Sequence, residues 1–306
     1  MTKSYLCCRK FLAFIALVAV CMGLGAPNLA QAAEAMDYEP DPVSQTHIWV
    51  AGSYQGFTRQ DGIKDKKFHS SYNVMAANFG YQHMTEFFGF PMRLSASVPV
   101  VYIGERSTYD LGRRNIGIGD LSLDALWWLI SEPEIDRNLG VRLTLTPASG
   151  DYRGTLDANA GTGHMTTSLE IGYRYGIMGA TKPIMTIEPV LGASFYGSQE
   201  TYYMGPRLST APSFQPQLFV SSRPFTDKES MEFYAGIGAQ LGGDLKYDDG
   251  TSAKGSNQTN LLVGARTFFD KESMTLRLDC QFVVNHEKTT PYAPGSIYSL
   301  KFGYKY

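Results

Sequence analysis

The residues of this 306-residue chain best suited to move a proton near neutral pH are its five histidines, His47, His69, His83, His164 and His286. A hydrolytic site needs one of them beside a serine nucleophile, with a polar group to orient it. The nearest arrangement is His164-Met165-Thr166-Thr167-Ser168. In an extended strand alternate side chains share a face, so His164, Thr166 and Ser168 line up on one side. No His-Glu-x-x-His motif and no paired Cys/His spacing occurs, so neither a metal nor a cofactor is expected. Asp244, Asp248 and Asp249 stand beside Gly250, but their spacing departs from that of a calcium loop and reads as a solvated loop. Three of the four cysteines, Cys7, Cys8 and Cys21, lie close to the start; Cys280 stands alone, so no disulfide links the body of the chain.

The remaining charged chemistry is not clustered in motifs. It alternates with apolar residues. In residues 274–286, Leu276, Leu278, Cys280, Phe282 and Val284 fall on one face and Arg277, Asp279 and Gln281 on the other. In 139–147, Leu139, Val141, Leu143 and Leu145 oppose Arg142. In 165–176, Leu169, Ile171, Tyr173 and Tyr175 oppose Glu170 and Arg174. In 116–129, Leu121, Leu123, Ala125 and Trp127 oppose Asp120, Ser122 and Asp124. The same phasing places Arg93, Glu188, Gln217, Glu232, Gln240, Arg266, Lys301 and Lys305 on the polar side. It also turns the face of His164 and Ser168 inward, away from any lipid substrate, which favours a loop-edge histidine over a hydrolase.

Such alternation requires strands, and one strand states the environment most plainly. In S-I-Y-S-L-K-F-G-Y-K-Y, Tyr298, Leu300, Phe302, Tyr304 and Tyr306 occupy every second position, with Ser299, Lys301, Gly303 and Lys305 between them. A lipid-facing barrel strand carries such a row, with aromatics at the interface; the competing reading is the last strand of a soluble sandwich. Twelve candidate strands run over 46–54, 71–82, 92–102, 116–129, 139–147, 165–176, 183–196, 213–223, 232–242, 259–269, 274–286 and 295–306. A tilted bilayer-crossing strand takes about 9–11 residues. Linkers alternate long and short throughout, the long ones at 55–70, 103–115, 148–164, 197–212, 243–258 and 287–294. Bacterial barrels put long loops outside, short turns in the periplasm and both termini inside, which makes the strand number even. The fold expected is therefore all-β, a transmembrane antiparallel up-and-down barrel of about 12 strands, with 10 or 14 as alternatives if a hairpin is split or merged.

The ends fit export. Lys3, Arg9 and Lys10 precede the apolar run 11–24, and Ala30-Gln31-Ala32 offers a small-x-small cleavage pattern. Residues 1–32 read as a signal peptide; an apolar run of about 14 is short of the ~20 that a spanning helix needs. Residues 33–45 are acidic, carry two prolines and read either as a periplasmic lead-in or as a short plug, and 46–306 as the barrel. Without Lys3, Arg9 and Lys10, 24 Lys and Arg face 29 Asp and Glu with no basic cluster, which argues against nucleic acid as a partner.

One region resembles a known family. Gly117-Ile118-Gly119-Asp120-Leu121 opens a strand, Leu143-Thr144-Leu145-Thr146-Pro147-Ala148-Ser149-Gly150-Asp151-Tyr152 closes another, and Gly161-Thr162-Gly163-His164 leads into the next. This resembles the outer-membrane family named for the MetA pathway of phenol degradation, in which a G-x-G-D-L start precedes a strand ending in Pro-Thr-Gly-Asp-Tyr. Here one extra residue stands between Pro147 and Gly150. The resemblance covers about 116–175 and implies an outer-membrane barrel of Gram-negative bacteria that passes small, often apolar or aromatic compounds, with no catalytic residues. The expectation is a channel whose inward charges (Arg93, Asp120, Asp124, Arg142, Glu170, Arg174, Glu188, Glu232, Arg266, Arg277, Asp279, Lys301 and Lys305) set selectivity. Its partners are the lipid bilayer, a small-molecule solute and, through the terminal row ending in Tyr306, the barrel-assembly machinery. A closed barrel cross-linked by ion pairs, presenting loops such as the one with Tyr202, Tyr203, Met204 and Pro206 to partners, is the alternative.

Overall fold

The computed structural model describes residues 45–60, 69–107, 114–151, 161–179, 183–198, 208–222, 231–247, 250, 252–253, 257–269, 273–286 and 292–306. Sixteen strands follow one another: β1 (Thr46–Gln60), β2 (His69–Phe87), β3 (Phe90–Ser107), β4 (Arg114–Ile118), β5 (Ser122–Glu132), β6 (Arg137–Thr146), β7 (Thr166–Met178), β8 (Pro183–Tyr196), β9 (Leu208–Thr210), β10 (Ser213–Ser222), β11 (Met231–Gly242), β12 (Leu245–Tyr247), β13 (Ser252–Ala253), β14 (Gln258–Phe269), β15 (Met274–His286) and β16 (Tyr292–Lys305). Twelve of them close an antiparallel barrel in the order β1, β2, β3, β5, β6, β7, β8, β10, β11, β14, β15, β16 and back to β1. Closure matters physically, because an open sheet edge would leave backbone N–H and C=O groups unpaired in lipid. The last bonds of the ring join the two ends of the barrel: Thr46 N donates to Tyr306 O at 3.2 Å, and Tyr306 N to Thr46 O at 2.9 Å.

The alternation of side chains decides which residues meet lipid. Leu191, Ile237, Leu278 and Val284 stand exposed on the outer face. Their sequence neighbours Val190, Gly236 and Arg277 are buried on the inner one. The terminal row behaves the same way: Tyr298 and Tyr304 are exposed, while Ile297 and Gly303 are buried. Outside the wall, β9, β12 and β13 pair into a small three-stranded sheet formed by two outer loops.

Three local features depart from the sequence expectation. The stretch 116–129 is not one strand but two. Gly119, Asp120 and Leu121 leave the ladder, so β4 and β5 pair with different parts of β3. The β2–β3 hairpin is longer than expected, 19 and 18 residues joined by the two-residue turn Phe88-Gly89, both at positive φ. A bulge at Leu129 in β5 shifts the register, so that Trp128 pairs with Gly140 but Ile130 with Leu139. The predicted signal peptide, nearly all of residues 33–45 and the loop carrying Tyr202, Tyr203, Met204 and Pro206 lie outside the described residues.

Candidate functional site

The inner wall carries four groups of ionisable side chains, each built by cross-strand register. In the first, Asp124 of β5 lies between two arginines, Arg142 of β6 at 3.2 Å and Arg93 of β3 at 3.7 Å. Arg142 reaches on to Glu170 of β7 at 3.3 Å. Ser95 and Thr144 donate hydroxyls to the same Asp124 at 2.8 and 3.3 Å. The register explains the grouping: Asp124 pairs directly with Ser95 and Thr144, and Arg142 with Glu170.

The second group closes around Arg174 of β7, which is almost fully buried. Its Nη2 donates to Asp136 Oδ2 at 2.9 Å and its Nη1 to Glu188 Oε2 at 3.5 Å. Thr186 Oγ1 adds a bond to Asp136 at 2.7 Å. Asp136 belongs to no strand. It follows the short 3-10 turn Pro133–Ile135 and holds a left-handed backbone, φ 50° and ψ 48°, which swings its carboxylate toward the lumen end. The sequence reading placed 131–137 as a short periplasmic turn and missed Asp136; an Asp just past a Pro-led turn, beside a strand bearing Arg174, is the signal that was available.

The third group is Glu232 of β11, 1% exposed, with Arg266 of β14 at 2.6 Å and the Ser221 hydroxyl at 3.1 Å. In the fourth, Arg277 Nε donates to both oxygens of Asp279 at 3.0 Å and to the Tyr234 hydroxyl at 2.9 Å. Asp279 also accepts from Tyr234 and, at 3.3 Å, from Ser299. Lys301 Nζ sits 4.3 Å from the Trp49 ring centroid, and the Lys305 backbone N–H donates to Ser273 O at 2.7 Å.

Asp120 is placed differently from the other twelve candidates. It sits where the strand is broken, and its carboxylate accepts from the backbone N–H groups of Ser149, Gly150 and Thr162 at 2.9, 2.8 and 2.6 Å, and from the Thr162 hydroxyl at 2.7 Å. Asp151 reaches back, accepting from Ile118 N at 2.7 Å. Gly119 and Gly150 touch backbone to backbone, where a side chain on Gly150 would collide with the Gly119 carbonyl. The three motif pieces that carry the family resemblance are thus one knot that ties both arms of the outer loop 148–164 to the break between β4 and β5. Asp120 holds this loop, its carboxylate taken up by backbone donors and one hydroxyl.

Apolar residues that sequence phasing passed over complete the wall. Met84, Leu126, Trp128, Val190, Phe219, Tyr234 and Leu262 form one buried cluster. They run as an arc from β2 to β14 round the inside. The register supplies room: Trp128 pairs with Gly140, Gly140 with Gly172 and Gly172 with Val190, a row in which two positions carry no side chain. Phe219 is packed against the bare Cα of Gly236 and Tyr234 against that of Gly264. Parity with Asp124, Gln217, Glu232 and Arg266 was the available signal.

The histidine–serine arrangement does not assemble. His164 Nδ1 lies 3.1 Å from Thr162 O and its ring packs edge-on to Tyr196, while the Ser168 hydroxyl bonds Ser194 at 2.8 Å. Among the described residues no group of three or more His, Cys, Asp or Glu side chains could hold a metal ion.

Among solved structures, an outer membrane channel from Pseudomonas putida F1 superposes with a TM-score of 0.71 at 21% identity, covering 89% of this chain and 98% of that one. The β domain of the Bordetella autotransporter Brka gives 0.57 at 11% identity over 85% and 99%, and the transport unit of the autotransporter AIDA-I from Escherichia coli 0.53 at 15% over 91% and 95%. These likenesses are of fold: a bacterial outer-membrane β-barrel. No curated protein matches the chain. The sequence profile described as putative MetA-pathway of phenol degradation matches residues 52–302, nearly the whole barrel, and the chain belongs to that family.

Proposed function

We propose that the barrel is a passive channel for small molecules with apolar or aromatic bodies, and that the inward residues named above, Asp120 excepted, line its path. The observation that carries this reading is the inner wall itself. On β3 to β8 the arginines Arg93, Arg142 and Arg174 are matched by Asp124, Asp136, Glu170 and Glu188. Charges satisfied in this way attract a passing ion weakly, while the arc from Met84 to Leu262 offers apolar surface to a neutral one. Some outer-membrane channels with about 16–18 strands hold a wide aqueous pore; twelve make a narrower lumen in which such side chains decide passage.

The reading includes no chemistry on the solute. His164 and Ser168 are each engaged elsewhere, the imidazole with the Thr162 carbonyl and the hydroxyl with Ser194. Residues 33–45 directly precede Thr46 in the sequence, and of the two readings, periplasmic lead-in or short plug, we propose the plug. The alternative, a closed barrel that presents loops to partners, rests on the same ion pairs acting as cross-links.

Planar-bilayer recording on the refolded protein, with and without residues 33–44, tests the channel. Single-channel steps in KCl, with conductance raised by the deletion, are the expected result. A silent barrel in both forms would leave the structural reading in its place.

A further inference from the structure

The inward charges are not spread evenly. Glu232 pairs across the ladder with Arg266, Arg266 with Arg277, and Arg277 with Lys301. Three cations therefore occupy consecutive strands, β14, β15 and β16, in a single hydrogen-bonded row. Directly opposed like charges destabilise a sheet, so such a row is not what stability alone would select. Each member also lies over an aromatic face: Arg266 is 4.8 Å from the Phe268 ring centroid, Arg277 is 5.2 Å from Tyr234, and Lys301 is 4.3 Å from Trp49. Distances within about 6 Å mark a cation held by a ring. Lys305 extends the strip two turns of the pleat toward the periplasmic end. On β11 and the described inward positions of β14, β15, β16 and β1, four Lys and Arg side chains stand with two carboxylates, Glu232 at 2.6 Å from Arg266 and Asp279 at 3.0 Å from Arg277. On β3 to β8 and the turn at Asp136 the balance is reversed, three arginines with four carboxylates.

We infer that the Arg266–Arg277–Lys301 row is a binding strip for aromatic organic anions, the solute class that the channel passes with preference. This rests on the channel reading and narrows it. The cations attract the anionic head by steering and hold it by hydrogen bonds. Phe268, Tyr234 and Trp49 give the ring an aromatic wall beside the row. A simple inorganic anion uses only the first of these two contributions, and an aromatic cation meets the strip's excess of positive charge.

The test compares benzenesulfonate, benzyltrimethylammonium and chloride, all permanently charged, as permeant ions in bi-ionic reversal-potential measurements on the full-length protein in planar bilayers. Benzenesulfonate is expected to be several-fold more permeant than benzyltrimethylammonium and more permeant than chloride. Lys301→Gln should cut that ratio about threefold, as removal of one charge at partly screened range implies. Lys301→Arg should keep it, and heat-modifiable gel mobility shows that each variant has folded. A ratio at or below one, or one unchanged in Lys301→Gln, overturns the inference while ordinary KCl conductance leaves the channel intact. Absence of any conductance overturns both. Preference for chloride over benzenesulfonate leaves electrostatic steering alone and overturns the aromatic part of the site.

Discussion

The inward arginines of β3 to β8 are each matched to carboxylates on neighbouring strands or turns. Arg174 is the sharpest case, because two carboxylates, Asp136 and Glu188, depend on it in a buried site, and the Thr186 hydroxyl donates to the first of them. Removing one member of a buried set of this kind costs about 3–5 kcal/mol, since it strands the other charges. Arg174→Met should therefore destabilise the barrel by about 3 kcal/mol in reversible urea unfolding into lipid vesicles, and adding Glu188→Gln to it should recover part of the loss. A change below about 1 kcal/mol would show that water reaches the group freely. The sequence made Arg174 and Glu188 legible as inward residues, since both lie opposite an apolar row. Asp136, the second carboxylate on Arg174, was not legible, because a turn residue has no alternation to place it.

Among the elements, the break between β4 and β5 does most to shape the outer end. A strand running straight from 114 to 132 would have been continuous with β3 on one side and β6 on the other. Instead, among the described residues β4 pairs with β3 alone, and the Asp120 knot stands on its far side. Asp120→Ala removes four donors' acceptor at once. Charge-assisted bonds contribute about 1.5–3 kcal/mol each when buried, less where water can substitute, so a local loss of about 3 kcal/mol is expected. Amide exchange reads it: protection at Gly150 and Thr162 should fall more than 100-fold, with protection across β14 and β15 unchanged. The motif pieces themselves were visible as Gly-rich turns, yet their meeting was not. Nothing in a linear pattern says that residues 120, 149 and 162 share one carboxylate.

At the scale of the whole molecule, the barrel exists only when its first and last strands meet. The terminal row Tyr298, Leu300, Phe302, Tyr304 and Tyr306 completes the lipid face, and Tyr306 trades two backbone bonds with Thr46. We assign this row the further role of the signal read by barrel-assembly machinery. Deleting Tyr306 should lower the folded amount in outer-membrane fractions several-fold while refolding in detergent stays near normal; unchanged membrane levels would remove the assignment. Sequence by itself determined the strand rhythm, the strand number and the two faces of each strand, because a side-chain period of two, set against lipid on one side, leaves little choice of phase. It also carried the family, through the residues around Asp120. Tertiary structure alone decided which inward charges neutralise each other and which stand in a row. That depends on the stagger between neighbouring strands, and stagger is set by turn lengths, the bulge at Leu129 and ring closure, none of which one strand's own pattern records.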